Sequence, residues 1–220
     1  CMGILLIAGA LALSREVVQV VSRNQRAAKT IVVDAGHGGS DPGMVTEELK
    51  EKDLNLTIAK MLRTYLEKEG FYVEMTRTED KGLYQEGSRN KKAQDMQNRV
   101  AFIAEKTPLL AVSIHQNSYP DPSVKGPQVF YYADSVEGEK LAGCIQSQMN
   151  DKLETEPPRE AKGNTSYYLL KKSSGVLNII ECGFMTNPQE AGNLQEKGYQ
   201  QKVVEAIGSG ITDYLQGKEE

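Results

Sequence analysis

The sequence predicts a single α/β domain: a mostly parallel, twisted sheet flanked by helices on both faces. Two observations carry this. Short apolar runs of strand length alternate with longer segments whose apolar residues recur at helical spacing. The chain of 220 residues shows no internal repeat or low-complexity tract, so one core suffices. Alternation of this kind implies parallel strands, because each crossover has to return over a face of the sheet and a helix covers that face as it does so.

The elements follow in order. Ile31 to Ala35 is a short buried strand. A glycine-rich turn, Gly36 to Gly39, comes directly after it, with Pro42 and Gly43 beyond. From Glu51 to Glu69 the residues Leu54, Ile58, Leu62 and Leu66 keep helical spacing, and Gly70 supplies the stop. Phe71 to Thr76 alternates as a strand, and Ala93 to Lys106 is helical. Leu109 to Ile114 is a third buried-type strand, ending in His115, Gln116 and Asn117 ahead of a turn through Pro120 and Pro122. Gln128 to Ala133 predicts a strand, Ser135 to Leu153 a helix, and Thr155 to Asn164 a polar loop. Strands are expected over Ser166 to Leu170 and Leu177 to Cys182, then helices over Pro188 to Gln195 and Tyr199 to Leu215.

Ahead of this domain, Met2 to Leu13 is apolar throughout, about the length of a signal-peptide core and short of a membrane span. The expected organisation is an apolar leader over 1–14 (a truncated signal peptide or membrane anchor), a polar linker over 15–30 and a catalytic domain over 31–216. Export from the cytoplasm follows as an expectation, with contact to a membrane only through the leader. A net charge of -4 argues against the positive field that nucleic acid requires. The three cysteines, Cys1, Cys144 and Cys182, have neither metal-type spacing nor a disulfide pattern and are expected to be structural.

The chain has only two histidines, His37 and His115, each just past the carboxyl end of a predicted buried strand. In open α/β sheets ligands bind in the crevice outside those strand ends, so the two imidazoles can share one site. Catalytic zinc takes three protein ligands and leaves a fourth position open, and two histidines with a carboxylate form such a set. Glu51, at the start of the first long helix, is one candidate for that carboxylate, and Glu47 and Glu48 are others. Glu181 differs from them, because it is embedded in the apolar run Leu177 to Phe184. A carboxylate in such a strand is paired, bound to a metal, or raised in pKa by desolvation so that it exchanges protons near neutrality. We expect the last role; the alternative is a buried ion pair with Arg77 or Arg99.

Four segments, VDAGHGGSDPG (33–43), EKDLNL (51–56), SIHQNS (113–118) and IECGFMTNP (180–188), resemble in order and spacing the zinc-dependent N-acetylmuramoyl-L-alanine amidases of the amidase-3 type. The loop segments DKGLY (80–84) and NKKAQDMQNRV (90–100) resemble most the spore-cortex, germination-specific amidases of spore-forming bacteria. The resemblance implies a Zn2+ ion held by His37, Glu51 and His115, with Glu181 as the catalytic carboxylate, and so selects Glu51 over its neighbours. It implies peptidoglycan as substrate, cut between the lactyl group of N-acetylmuramic acid and L-alanine; Asn117 is a candidate for orienting substrate or oxyanion, and an activating protein is a candidate partner. A zinc peptidase acting on stem peptides and a catalytically silent wall-binding protein are the alternatives. Two departures stand out: Thr46 and Glu48 replace glycines expected before Glu51, and no proline stands around Gly175.

Overall fold

The computed structural model describes residues 29–217 apart from residue 48. The expected leader, nearly all of the linker and Glu48 therefore lie outside the described residues. Six strands form one sheet: β1 (Thr30–Ala35), β2 (Tyr72–Met75), β3 (Leu110–Asn117), β4 (Gln128–Tyr132), β5 (Lys162–Asn164) and β6 (Leu177–Phe184), in the order β2-β1-β3-β6-β4-β5. The strands β2, β1, β3 and β6 run parallel, while β4 is antiparallel to β6 and carries β5 at the edge. The helices are α1 (Glu51–Lys68), α2 (Lys91–Lys106), α3 (Val136–Lys152), α4 (Tyr168–Lys172), α5 (Pro188–Gln195) and α6 (Lys197–Gln216).

The pleat of the sheet sorts the side chains into two layers. Ile31, Val33 and Ala35 of β1, Val112 and Ile114 of β3, and Ile180 and Cys182 of β6 form one core with α1, α3, α5 and α6. Val32, Ala111, Leu177 and Ile179 face the other way, against Ile103 of α2 and the leucines of α4. Because the period of a strand is two, Asp34, Ser113, His115 and Glu181 belong to this second face as well. The smaller layer therefore carries the polar residues.

Local sequence explains most element boundaries. Leu54, Ile58, Leu62 and Leu66 of α1 are all buried, each worth about 1.5–3 kcal/mol against exposure. Asn90, Ser135 and Asn187 each accept a backbone N–H three residues on, capping α2, α3 and α5. One expected element differs. The segment Ser166 to Leu170 is not a strand: the edge strand is β5, within the expected polar loop, and Tyr168–Lys172 is helical. Asn164 Oδ1 accepts from the backbone N–H of Ser166 at 2.8 Å and of Tyr167 at 2.7 Å, which turns the chain. A helical turn then buries the adjacent Leu169 and Leu170 together, whereas a strand would send them to opposite faces.

Helices α3 and α6 approach closely at Gly210, where a Cβ would stand 2.5 Å from the Ile145 Cα. Gly210→Leu is expected to destabilise the domain by about 1–3 kcal/mol through overpacking, measured as a lower urea midpoint with an unchanged slope. An unchanged midpoint would show that the contact is not tight.

Candidate metal centre and catalytic pocket

The site begins where β1 ends. Ala35 pairs with Ile114 across β1 and β3, and His115 pairs with Glu181 across β3 and β6, so both histidines and the buried acid gather at the carboxyl end of the parallel strands. His37 has φ 60, a left-handed conformation that costs a non-glycine residue on the order of 1–2 kcal/mol. The turn is held by reciprocal backbone hydrogen bonds between Gly38 and Asp41. Two arginines clamp its entry. Arg99 donates to the carbonyls of Ala35 at 2.9 Å and His37 at 2.7 Å, and Arg77 donates to those of Ala35 and Gly36, each at 2.9 Å.

Arg99 is itself fixed by ion pairs to Asp34 and to Asp95. Asp34 also accepts from Thr76 Oγ1 at 2.6 Å and Ser113 Oγ at 2.5 Å. Burial opposes the charge on Asp34, and Arg99 with the two hydroxyls more than offsets it, leaving the carboxyl below its ordinary range. The loop residues Asp80 and Tyr84 support the turn from outside, accepting from the N–H groups of Gly39 and Ser40.

Glu51 arrives from the N-terminus of α1, where a helix favours negative charge. Its Oε2 lies 3.2 Å from His37 Nε2 and its Oε1 lies 2.9 Å from His115 Nδ1. One ligand atom from each of the three side chains falls within 4.8 Å of the others. Glu51 is buried and Glu47 is exposed, so the structure brings Glu51 to the histidines. The backbone of Met44 and the amide of Asn55 donate to Glu51, and the loop before it is pinned by a 2.9 Å bond from Thr46 N–H to the Leu49 carbonyl. Thr46, one of the departures from the family's pattern, thus serves the loop as a turn residue. Gly43 has φ +66, and a Cβ there would collide with Glu51 Oε2 and the His37 ring.

Asp41 accepts from His37 Nδ1 at 2.9 Å, which directs Nε2 toward Glu51. That hydrogen bond, with help from the Gly43 N–H, lowers the Asp41 carboxyl to about 2 against the effect of burial. For His37, burial disfavours the imidazolium, but hydrogen bonds to Asp41 and Glu51 prevail and raise it to about 9. Burial would raise Glu51, yet both histidines hold it far below the ordinary carboxylate range. The cluster therefore concentrates affinity for positive charge where the three side chains meet. Two imidazoles and one carboxylate match the donor set of a metal ion of the zinc type.

Glu181 lies in the same pocket but in a different environment. Burial, reinforced by the charge of Glu51 and opposed by the two histidines, pushes its carboxyl up to about 7. Its Oε2 is buried and accepts no hydrogen bond among the described residues. Neither Arg77 nor Arg99 pairs with it, since both are committed to the β1 end. Asn117, by contrast, uses its Oδ1 to accept from the adjacent Ser118 N–H at 2.8 Å, as a turn residue does, and is not among the residues lining the pocket. Cys182 is fully buried, and burial pushes its thiol up, in keeping with a structural role.

Sequence reading missed Asp34, Asp41 and Asn55. Asp34 carries the signal that singled out Glu181, an acid inside a buried strand, and Asn55 lies one helical turn from Glu51.

Comparison with known proteins gives one consistent result. The N-acetylmuramoyl-L-alanine amidase family matches residues 31–213. The germination-specific N-acetylmuramoyl-L-alanine amidase of Bacillus subtilis is 39% identical over 193 residues, covering 86% of this chain and 81% of the relative. The CwlD amidase of Clostridioides difficile, solved in complex with the GerS lipoprotein, superposes with a TM-score of 0.83 at 37% identity, over 86% of this chain and 99% of its own. An N-acetylmuramoyl-L-alanine amidase from Clostridium difficile 630 does so at 0.77 and 30%, over 87% and 99%.

Arg99→Met leaves Asp34 buried without its cation and is expected to cost about 3–5 kcal/mol, read by urea denaturation. Adding Asp34→Asn should recover part of that loss; strict additivity of the two changes would show that the pair is not coupled.

Proposed function

The chain belongs to the N-acetylmuramoyl-L-alanine amidase family, and from that premise we propose how it cuts the amide between the lactyl group of N-acetylmuramic acid and L-alanine in peptidoglycan. His37, Glu51 and His115 would hold a zinc ion, and Glu181 would move the proton. The observation that carries this reading is the convergence of the three ligand atoms of His37, Glu51 and His115, with both histidines opening into a pocket of about 340 Å³ that Glu181, whose buried Oε2 accepts no hydrogen bond among the described residues, also lines.

Each residue has a task. Zinc, when bound, supplies Lewis acidity toward a carbonyl and a water. His37 offers Nε2, because Asp41 engages its other nitrogen. His115 offers Nδ1, the nitrogen that faces Glu51. Glu181 takes a proton from the attacking water and returns it to the departing nitrogen of L-alanine. The carbon–nitrogen bond breaks as the hydroxyl joins the lactyl carbon, giving a lactyl carboxylic acid and a free alanine amine, which end as carboxylate and ammonium once the acid's proton passes to the amine. A carboxyl poised near neutrality suits both transfers.

The relatives support a setting for this chemistry. The Bacillus subtilis relative is named for germination and a Clostridioides difficile relative was solved with a lipoprotein. We assign this chain to spore-cortex peptidoglycan, outside the cytoplasm, with a protein partner that activates it. No helix among the described residues is long and apolar enough to cross a membrane.

Two experiments test the reading. Glu181→Gln should keep its zinc and lose roughly 10²–10⁴-fold in kcat/KM on purified peptidoglycan, while wild type releases stem peptides with a free amino-terminal alanine. Cuts within the stem, or an active Glu181→Gln enzyme, would overturn it. Gly43→Ala should displace Glu51 and weaken zinc binding roughly 10–100-fold, followed by competition with a chromogenic chelator; undiminished affinity would remove Glu51 from the ligand set.

A further inference from the structure

The catalytic pocket has two flanks of different chemistry. Lys92, in the first turn of α2, stands on one, and Tyr167 and Tyr168, at the start of α4, stand on the other; all three line the pocket with His37, His115 and Glu181. The helix that carries Lys92 lies against the His37 turn, where Arg99 of the same helix donates to the His37 carbonyl at 2.7 Å. The tyrosines lie on the side of Glu181, because Tyr167 packs edge-on against Phe130 of β4, the strand that pairs with β6 and its Glu181.

The two lining cations are not equivalent. Arg99 is buried and committed to Asp34 and Asp95. Lys92 is exposed and makes no ion pair within 4.0 Å among the described residues. It is an exposed cation in the wall of the pocket. Tyr167 and Tyr168 keep 38% and 41% of their surface exposed, and Tyr167 is braced edge-on by Phe130 at 5.3 Å. A braced, half-exposed ring offers a flat apolar face with a polar tip, the surface on which a sugar ring packs.

This inference rests on the amidase reading, which makes the substrate a sugar joined through its lactyl group to a peptide. Beyond the alanine, peptidoglycan stems carry carboxylates that are either free or amidated. We propose that Lys92 is a specificity-determining residue that pairs with a carboxylate of the peptide stem, while the tyrosine flank receives the sugar. The pocket then fixes the direction in which the substrate lies, peptide toward α2 and sugar toward α4. It also makes the enzyme selective for stems whose carboxylate is free.

Two soluble muramoyl tripeptides, identical except that the second residue's α-carboxyl is free in one and amidated in the other, test this with the zinc-loaded full chain. Wild type should prefer the free acid by roughly 10–100-fold in kcat/KM, the range of one charge-assisted hydrogen bond. Lys92→Met should bring that ratio close to one, and Lys92→Arg should keep most of it. A wild type without preference, or a Lys92→Met enzyme that retains the wild-type ratio, overturns the assignment while leaving the amidase reading intact. Cleavage of neither substrate at the lactyl amide overturns the amidase reading and this one with it.

Discussion

Asp34 sits on β1 in the interior of the domain, fully enclosed, and its charge is tolerable there because Arg99 reaches it from α2 while Thr76 and Ser113 donate to its two oxygens. An isolated carboxylate in that position would cost several kcal/mol. The same guanidinium extends past Asp34 to the carbonyls of Ala35 and His37, so the group that neutralises the buried charge also fixes the left-handed turn at the catalytic end of β1. The position of His37 thus depends on an ion pair that stands well behind it. Arg77 doubles the constraint through Ala35 and Gly36.

Glu51 and Glu181, on either side of His115, show how one residue type acquires two characters at neighbouring positions. Both are buried, and burial alone would raise both. Glu51 is surrounded by donors: two imidazoles, the Met44 and Gln116 backbone N–H groups and the Asn55 amide. Glu181 has a buried oxygen with none. Solvation by fixed donors keeps the first ionised and suited to hold a cation, and its absence leaves the second able to carry a proton. Their surroundings thus shift the two neighbouring carboxylates in opposite directions.

The antiparallel extension of the sheet, β4 with β5, bears on the site indirectly. Asn164 turns the chain out of β5 and into α4, and α4 sets Tyr167 and Tyr168 over the pocket. Helix α2 closes the other side with Met96, Arg99 and Lys92. The pocket is therefore built between two helices on the smaller layer of the sheet, leaving the larger core of α1, α3, α5 and α6 to supply stability.

Much of this was legible in the sequence because it depends on short-range periodicity. Leu54 to Leu66 announce a helix, Ile31 to Ala35 and Leu177 to Cys182 announce strands, and the two histidines fall just past strand ends whatever the sheet order is. The family motifs, in order, identified the chemistry. The edge was not legible: β5 is three residues held by backbone pairing, which leaves no apolar pattern, and Leu169-Leu170 reads equally as strand or helix until an Asn side chain turns the chain. Nor were the partners of the buried charges. Arg99 was a candidate partner for Glu181, and it pairs instead with Asp34, 65 residues away along the chain. Composition and spacing determine which residues are apolar, acidic or basic and which face of an element they occupy; which acid meets which base is decided only when strands align in register and helices dock over them.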